Sequence, residues 1–143
     1  FELGKRLTFD YSLVPHAGSW RDAGVTREGM ALNVPLIAQT AASHVGTLPS
    51  RAGYIEAEPA NVVVTTLKTS RDGMAALRIY EASGAATPGA RIRLLGGATR
   101  VDEVDLMEDP IREMTVSDGA VEFDLGAFEI KTFRFSLEPA NGA

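Results

Sequence analysis

The stretch "YSLVPHAGSWRDAG", residues 11–24, gathers one of the chain's two histidines, its single tryptophan, an Arg-Asp pair and two serines. Ser12 or Ser19, His16 and Asp22 supply the residue types of an acyl-transfer triad, in which histidine takes the serine proton and the carboxylate orients the ring. The surroundings do not suit that chemistry, because neither a nucleophile elbow nor a glycine-rich oxyanion loop accompanies them. Zinc needs three or four ligands at recognisable spacing. His16 and His44 stand 28 residues apart, without a His-x-x-x-His or His-x-Asp element, and cysteine is absent. Trp20 and His16 also suit the border of a sugar subsite, where an aromatic face meets polar forks. The competing reading is a structured turn, with Trp20 packed into a seam and His16 bonded to backbone groups. We read the turn as a seam, and keep His16, Trp20, Arg21 and Asp22 as residues of a domain joint or substrate rim.

Glycoside hydrolysis asks for two carboxyl groups about 5 to 9.5 Å apart across the scissile bond. Glu56 and Glu58 share a strand face, and Glu108 with Asp109 precedes Pro110. Both pairs read as solvated surface. "LGGA" at residues 95–98 lacks the lysine and helix signal of a phosphate loop and reads as a turn. No catalytic, cofactor-binding or metal-binding residue is assigned.

The elements that position these residues belong to a globular chain of 143 residues, 45% apolar and 23% charged. No apolar run approaches the roughly 18 residues that cross a bilayer, and the expectation is a chain without a signal peptide. The lack of cysteine fits a cytoplasmic protein. Net charge is −5, and residues 102–124 hold nine acids against the single base Arg112. That balance argues against nucleic acid and anionic membrane as partners.

Leu3, Leu7, Phe9, Tyr11 and Leu13 share one parity, which predicts a strand at the start of the chain. Its first residue has no preceding partner, so the expectation is a piece of something larger. Ser19 and Asp22 have capping-box spacing, and a helix over residues 20–32 follows. A short apolar segment, "PLIAQT", precedes a linker at 41–53. From Tyr54 onward come seven or eight short strands separated by turns, the signature of an antiparallel β-sandwich of immunoglobulin-like type. Within "FEIKTFRFSL" the core-facing parity slips between Ile130 and Phe133. A β-bulge near Lys131 or Thr132 explains the slip, unless both faces are buried there.

"YSLVPHAGSWRDAGVTREGMALNVPL" resembles a segment late in the α-mannosidases of glycoside hydrolase family 38. The matching positions are Tyr11, Leu13, Pro15, His16, Gly18, Trp20, Leu32, Asn33, Pro35 and Leu36. "NVVVTTLKTSRDGMAALRIYEASG", "VDEVDLMEDPI" and "FEIKTFRF" resemble later elements of the same family, in the same order. The resemblance implies the C-terminal end of a longer, retaining enzyme that acts on terminal α-mannosides. The family's Asp nucleophile and zinc ion belong to an N-terminal α/β domain whose motifs are absent here, so no residue is carried over. Residues 1–48 are expected to end a central β-super-sandwich, and 49–143 to form the terminal β-sandwich. The partners implied are the catalytic and central domains of the same chain, with the α-mannoside met only indirectly. Two other readings compete. One is a carbohydrate-binding module using Trp20, Tyr54 or Tyr80, and the other an immunoglobulin-like interaction domain.

Overall fold

The computed structural model describes residues 4–43, 45–47, 49–94 and 97–137. The chain divides into two units, Phe1–Val45 and Gly46–Ala143.

Among the described residues of the second unit nine strands form two antiparallel sheets. β1 (Ile55–Glu58), β4 (Thr87–Leu94), β8 (Ala120–Leu125) and β7 (Val116–Ser117) make a four-stranded sheet in the order β1-β4-β8-β7. β2 (Val62–Thr69), β3 (Ala75–Glu81), β9 (Ile130–Leu137), β5 (Ala98–Val104) and β6 (Pro110–Met114) make a five-stranded sheet in the order β2-β3-β9-β5-β6. The all-β sandwich expected from the strand pattern is the architecture found. Period-2 alternation builds its core. Ala90, Ile92 and Leu94 of β4 and Val121, Phe123 and Leu125 of β8 meet Val62, Leu77, Ile79, Val101, Phe133 and Phe135 of the other sheet. The Phe123 and Phe133 rings, one from each sheet, lie 4.7 Å apart with a 44° tilt.

Register corrects several expectations. β3 and β9 pair without interruption from Ala75↔Phe135 to Tyr80↔Ile130, so no bulge occurs at Lys131 or Thr132. Both faces of β9 are covered instead: Phe133 and Phe135 point into the core, while Thr132, on the outer side, is equally buried. Irregularities fall elsewhere, one of them at Thr65 between Val64 and Thr66. Another lies between Thr87 and Ala90, where Gly89 takes φ +65°. Of the "LGGA" turn, Leu95 and Gly96 lie outside the described residues.

The first unit departs further from expectation. Among its described residues none is in a strand, and neither the opening strand nor "PLIAQT" forms one. Leu7, Phe9, Tyr11 and Leu13 are 71–83% exposed, and Leu3 lies outside the described residues. A strand without a hydrogen-bonded neighbour has no stability of its own, which accounts for the difference. The only helix among the described residues, α1 (Val25–Asn33), starts five residues later than the spacing predicts and buries none of its side chains. Gly24 explains the late start. Its φ of +63° is left-handed, and a right-handed helix cannot run through it.

Candidate functional site

The residues singled out between His16 and Asp22 form a closed turn. Ser19 donates from its backbone N–H (3.1 Å) and its hydroxyl (2.6 Å) to Asp22 Oδ2, and the Asp22 N–H returns to Ser19 Oγ at 3.4 Å. The expected box therefore forms, but it closes the turn ahead of Gly24 instead of capping the helix. The Ser19 bonds hold the Asp22 carboxyl below its ordinary value, with the Arg21 charge adding to them. Because the Ser19 hydroxyl is directed at Asp22, the turn does not assemble a serine–histidine pair. His16 is exposed. The Arg21 guanidinium carbon stands 4.5 Å from the Trp20 ring centroid. That cation occupies one face of the indole.

The paired carboxylates do not make a glycosidase site either. Glu56 and Glu58 are exposed and lie opposite Arg93 and Arg91 in the β1–β4 ladder, lining a cleft of about 230 Å³. This is an outward-facing ladder of alternating charge. Glu108 corrects the solvated-surface reading. It is buried, pairs with Lys68 and accepts the Arg71 N–H at 3.1 Å, bridging the β5–β6 loop to the β2–β3 turn. Bonding to Lys68 and the Arg71 N–H lowers its pKa.

Two side-chain clusters had no clear signal in the sequence. On the outer face of the five-stranded sheet Arg134 bonds Asp72 Oδ2 at 3.0 Å and Asp102 Oδ2 at 3.1 Å, and Arg100 reaches the other Asp102 oxygen. The second cluster centres on Glu81, which is fully buried at the end of β3. Its carboxylate accepts from Asn61 Nδ2 (2.8 Å), the Ser83 N–H (2.6 Å), the Ser83 hydroxyl, the Gly84 N–H (2.7 Å), the Ala85 N–H (3.2 Å) and the Phe128 N–H (3.1 Å). Burial pushes this carboxyl up. The donors from Ser83, Asn61 and Phe128 outweigh it and hold the group at about 2. One anion thus ties together the β1–β2, β3–β4 and β8–β9 loops. A glutamate closing an apolar strand ahead of "ASG" was the visible hint, but its partners come from distant loops.

An apolar cleft of about 410 Å³ lies beside the edge strands β1 and β2, lined by Tyr54, Leu67, Leu94 and Phe135 among others. Its polar lining groups are Lys68, engaged with Glu108, Thr69 and the Tyr54 hydroxyl. Sugar recognition needs convergent hydrogen-bonding groups that this lining does not offer. Among the described residues no group of three or more His, Asp or Glu is placed to hold a metal ion. The donor set here does not fit a zinc site, and His44 lies outside the described residues. No helix among them is long and apolar enough to cross a membrane.

Comparison with known proteins shows the family of the sandwich. Residues 61–133, about half of the chain, match the model of the glycosyl hydrolases family 38 C-terminal beta sandwich domain. The chain is 31% identical over 134 residues to alpha-mannosidase G of Dictyostelium discoideum, covering 89% of this chain and 12% of that protein. It is 31% identical over 140 residues to human alpha-mannosidase 2C1, covering 94% of this chain and 13% of the relative. The mouse alpha-mannosidase 2C1 is 29% identical over 143 residues, with 13% of its length spanned. The chain therefore spans about an eighth of the curated relatives it matches. With half of its length matched by that family model and its strands forming a two-sheet sandwich, this chain belongs to the C-terminal β-sandwich domain family of the family 38 glycosyl hydrolases.

Proposed function

We propose that this chain is the non-catalytic, accessory C-terminal region of a retaining α-mannosidase-like hydrolase acting on terminal α-mannosides. The observation that carries the reading is the match to the family's terminal sandwich, together with relatives named alpha-mannosidases that are about eight times longer. The internal chemistry supports it. The buried carboxylates Glu81, Asp102, Glu103 and Glu108 are each engaged with donors or cations, which suits scaffolding. Catalytic carboxylates and a zinc ion would then reside in the preceding part of the longer polypeptide, where the metal would help hold the terminal mannose.

Within this reading residues 1–48 end a central β-domain and 49–143 form the terminal one. The turn from His16 to Asp22 would act as a joint that ends one β-unit and orients the next. Trp20 and Arg21, both exposed, are the side chains that such a joint or a substrate rim would use. We place the enzyme in the cytoplasm, on the absence of cysteine.

The test is hydrolysis of an aryl α-mannoside by this chain and by the longer polypeptide encoded with it. The expected result is release of mannose by the longer polypeptide only. Turnover by the 143-residue chain alone would overturn the accessory assignment, and an inactive longer polypeptide would overturn the mannosidase reading.

A further inference from the structure

Two neighbouring loops of the sandwich show the same unusual combination of features. β5 and β9 are adjacent strands, and Val104 at the end of β5 pairs with Thr132 near the start of β9. The β5–β6 loop (residues 105–109) and the β8–β9 loop (126–129) therefore leave the five-stranded sheet side by side. Each contains a non-glycine residue in the left-handed region, Glu108 at φ +72° and Phe128 at φ +56°. For an aromatic side chain that conformation is an outlier, maintained only where the surroundings enforce it.

Here a buried carboxylate enforces it in each loop. Glu81 binds the Phe128 N–H, and the Phe128 ring packs on Gly84, where a Cβ would run into it. Glu108 reaches Lys68 and the Arg71 N–H, while the Asp105 carboxylate accepts the N–H groups of Met107 (2.8 Å) and Asp109 (2.9 Å). The two loops are held by these bonds, yet what they display is apolar. Leu106, Met107, Ile111, Phe128 and Ile130 are 55–62% exposed. A sandwich core gains nothing from holding these side chains in water, whereas a preformed contact surface does.

Of the polar side chains near Phe128, Asn61 and Ser83 are directed at Glu81, and Glu129 is engaged with Lys131 and the Gly126 N–H. This leaves a ring on an apolar shelf without the polar forks a sugar needs. The exposed acids Asp105 and Asp109 border the shelf.

We propose that the shelf made by the 105–111 and 126–130 segments is the surface on which this domain docks against the preceding part of the longer hydrolase. The facing surface carries an apolar centre with a basic rim. The inference rests on the proposed accessory role, and the occupant follows from the share of the relatives that lies outside this chain, nearly nine-tenths of their length. The carboxylate-held loops lower the cost of association, because their shape is set beforehand.

Hydroxyl-radical footprinting of the 143-residue chain and of the longer polypeptide tests it. Oxidation of Met107 and Phe128 is expected to fall about fivefold or more in the longer polypeptide, as buried interface side chains do. Equal oxidation in both overturns the proposal. So does protection that appears in the 143-residue chain alone as its concentration is raised, which would assign the shelf to a second copy. A companion variant, Phe128→Gly, keeps the left-handed backbone at ease and removes the ring. Its unfolding midpoint is expected to hold in the chain alone and to fall in the longer polypeptide. An equal fall in both assigns the ring to folding only, against the proposal. A mannosidase assay on the same material separates the two claims, since loss of docking leaves the activity reading standing and loss of activity leaves the footprint decisive.

Discussion

Residues 7–13 and residues 121–125 carry the same alternation of apolar and polar side chains, and they meet opposite fates. Val121, Phe123 and Leu125 are buried between two sheets, while Leu7, Phe9, Tyr11 and Leu13 stand in solvent without a strand around them. Alternation specifies which side of a strand prefers a core. It does not supply the neighbouring strand that turns the preference into structure. β8 has β4 on one side and β7 on the other. The first unit has no such ladder among its described residues.

Substitution makes this contrast measurable. Phe133→Ala removes a ring that is 1% exposed, packs on Phe123 and lies in the middle of the core. It should destabilise the sandwich by about 3 to 5 kcal/mol in denaturant unfolding. Phe9→Ala, of the same chemistry, should leave the midpoint unchanged. A comparable loss at Phe9 would mean that the first unit has a core of its own.

A smaller effect is expected at the Glu81 knot. Glu81→Gln keeps the volume but turns an amide group toward backbone donors, at a cost of about 2 kcal/mol. Its signature is in the pH dependence. The folded carboxyl titrates at about 2 against an ordinary value of 4.5. The unfolded chain therefore takes up this proton first as pH falls. The stabilisation is complete above about 4.5 and is lost progressively as pH falls toward 2. Wild type should lose stability through that window, and the Gln variant should lack this component. Equal acid sensitivity in both would remove Glu81 from the explanation.

The smallest effect belongs to the exposed turn. Ser19→Ala deletes the hydroxyl bond to Asp22, yet surface changes of this kind usually stay within about 0.5 kcal/mol. No measurable change in unfolding of the 143-residue chain is expected. A clear loss would show that the turn supports more structure than its exposure indicates.

These contrasts also explain what was readable beforehand. The strands from Ile55 to Leu137 were legible because their burial follows a period of two and their turns carry Gly, Asp and Pro at the right places. β9 misled on one point. Its parity slip is not a bulge, because the left-handed Phe128 lies outside the strand and Ile130 belongs to the outer face. Thr132 is buried beside it on a face that the β5–β6 loop helps to cover. Such coverage depends on Glu108 reaching Lys68 and Arg71, contacts distant in sequence. Ser19 and Asp22 were legible as a hydrogen-bonded pair. That they close a turn and cap no helix depended on the conformation of Gly24. The role of Glu81 was hidden for a similar reason: its six donors come from Asn61, Ser83, Gly84, Ala85 and Phe128, brought together only by three loops.

The sheet order has one further consequence, for how the chain behaves in a test tube. The five-stranded sheet ends in β2 and β6, and both are poor templates for another chain. β2 is interrupted at Thr65, and β6 begins at Pro110, which has no N–H to offer. Residues 7–13 carry no such interruption. Produced alone, the chain keeps its gatekeepers on the sandwich and exposes an adhesive ribbon in its first unit, where fibril growth would begin.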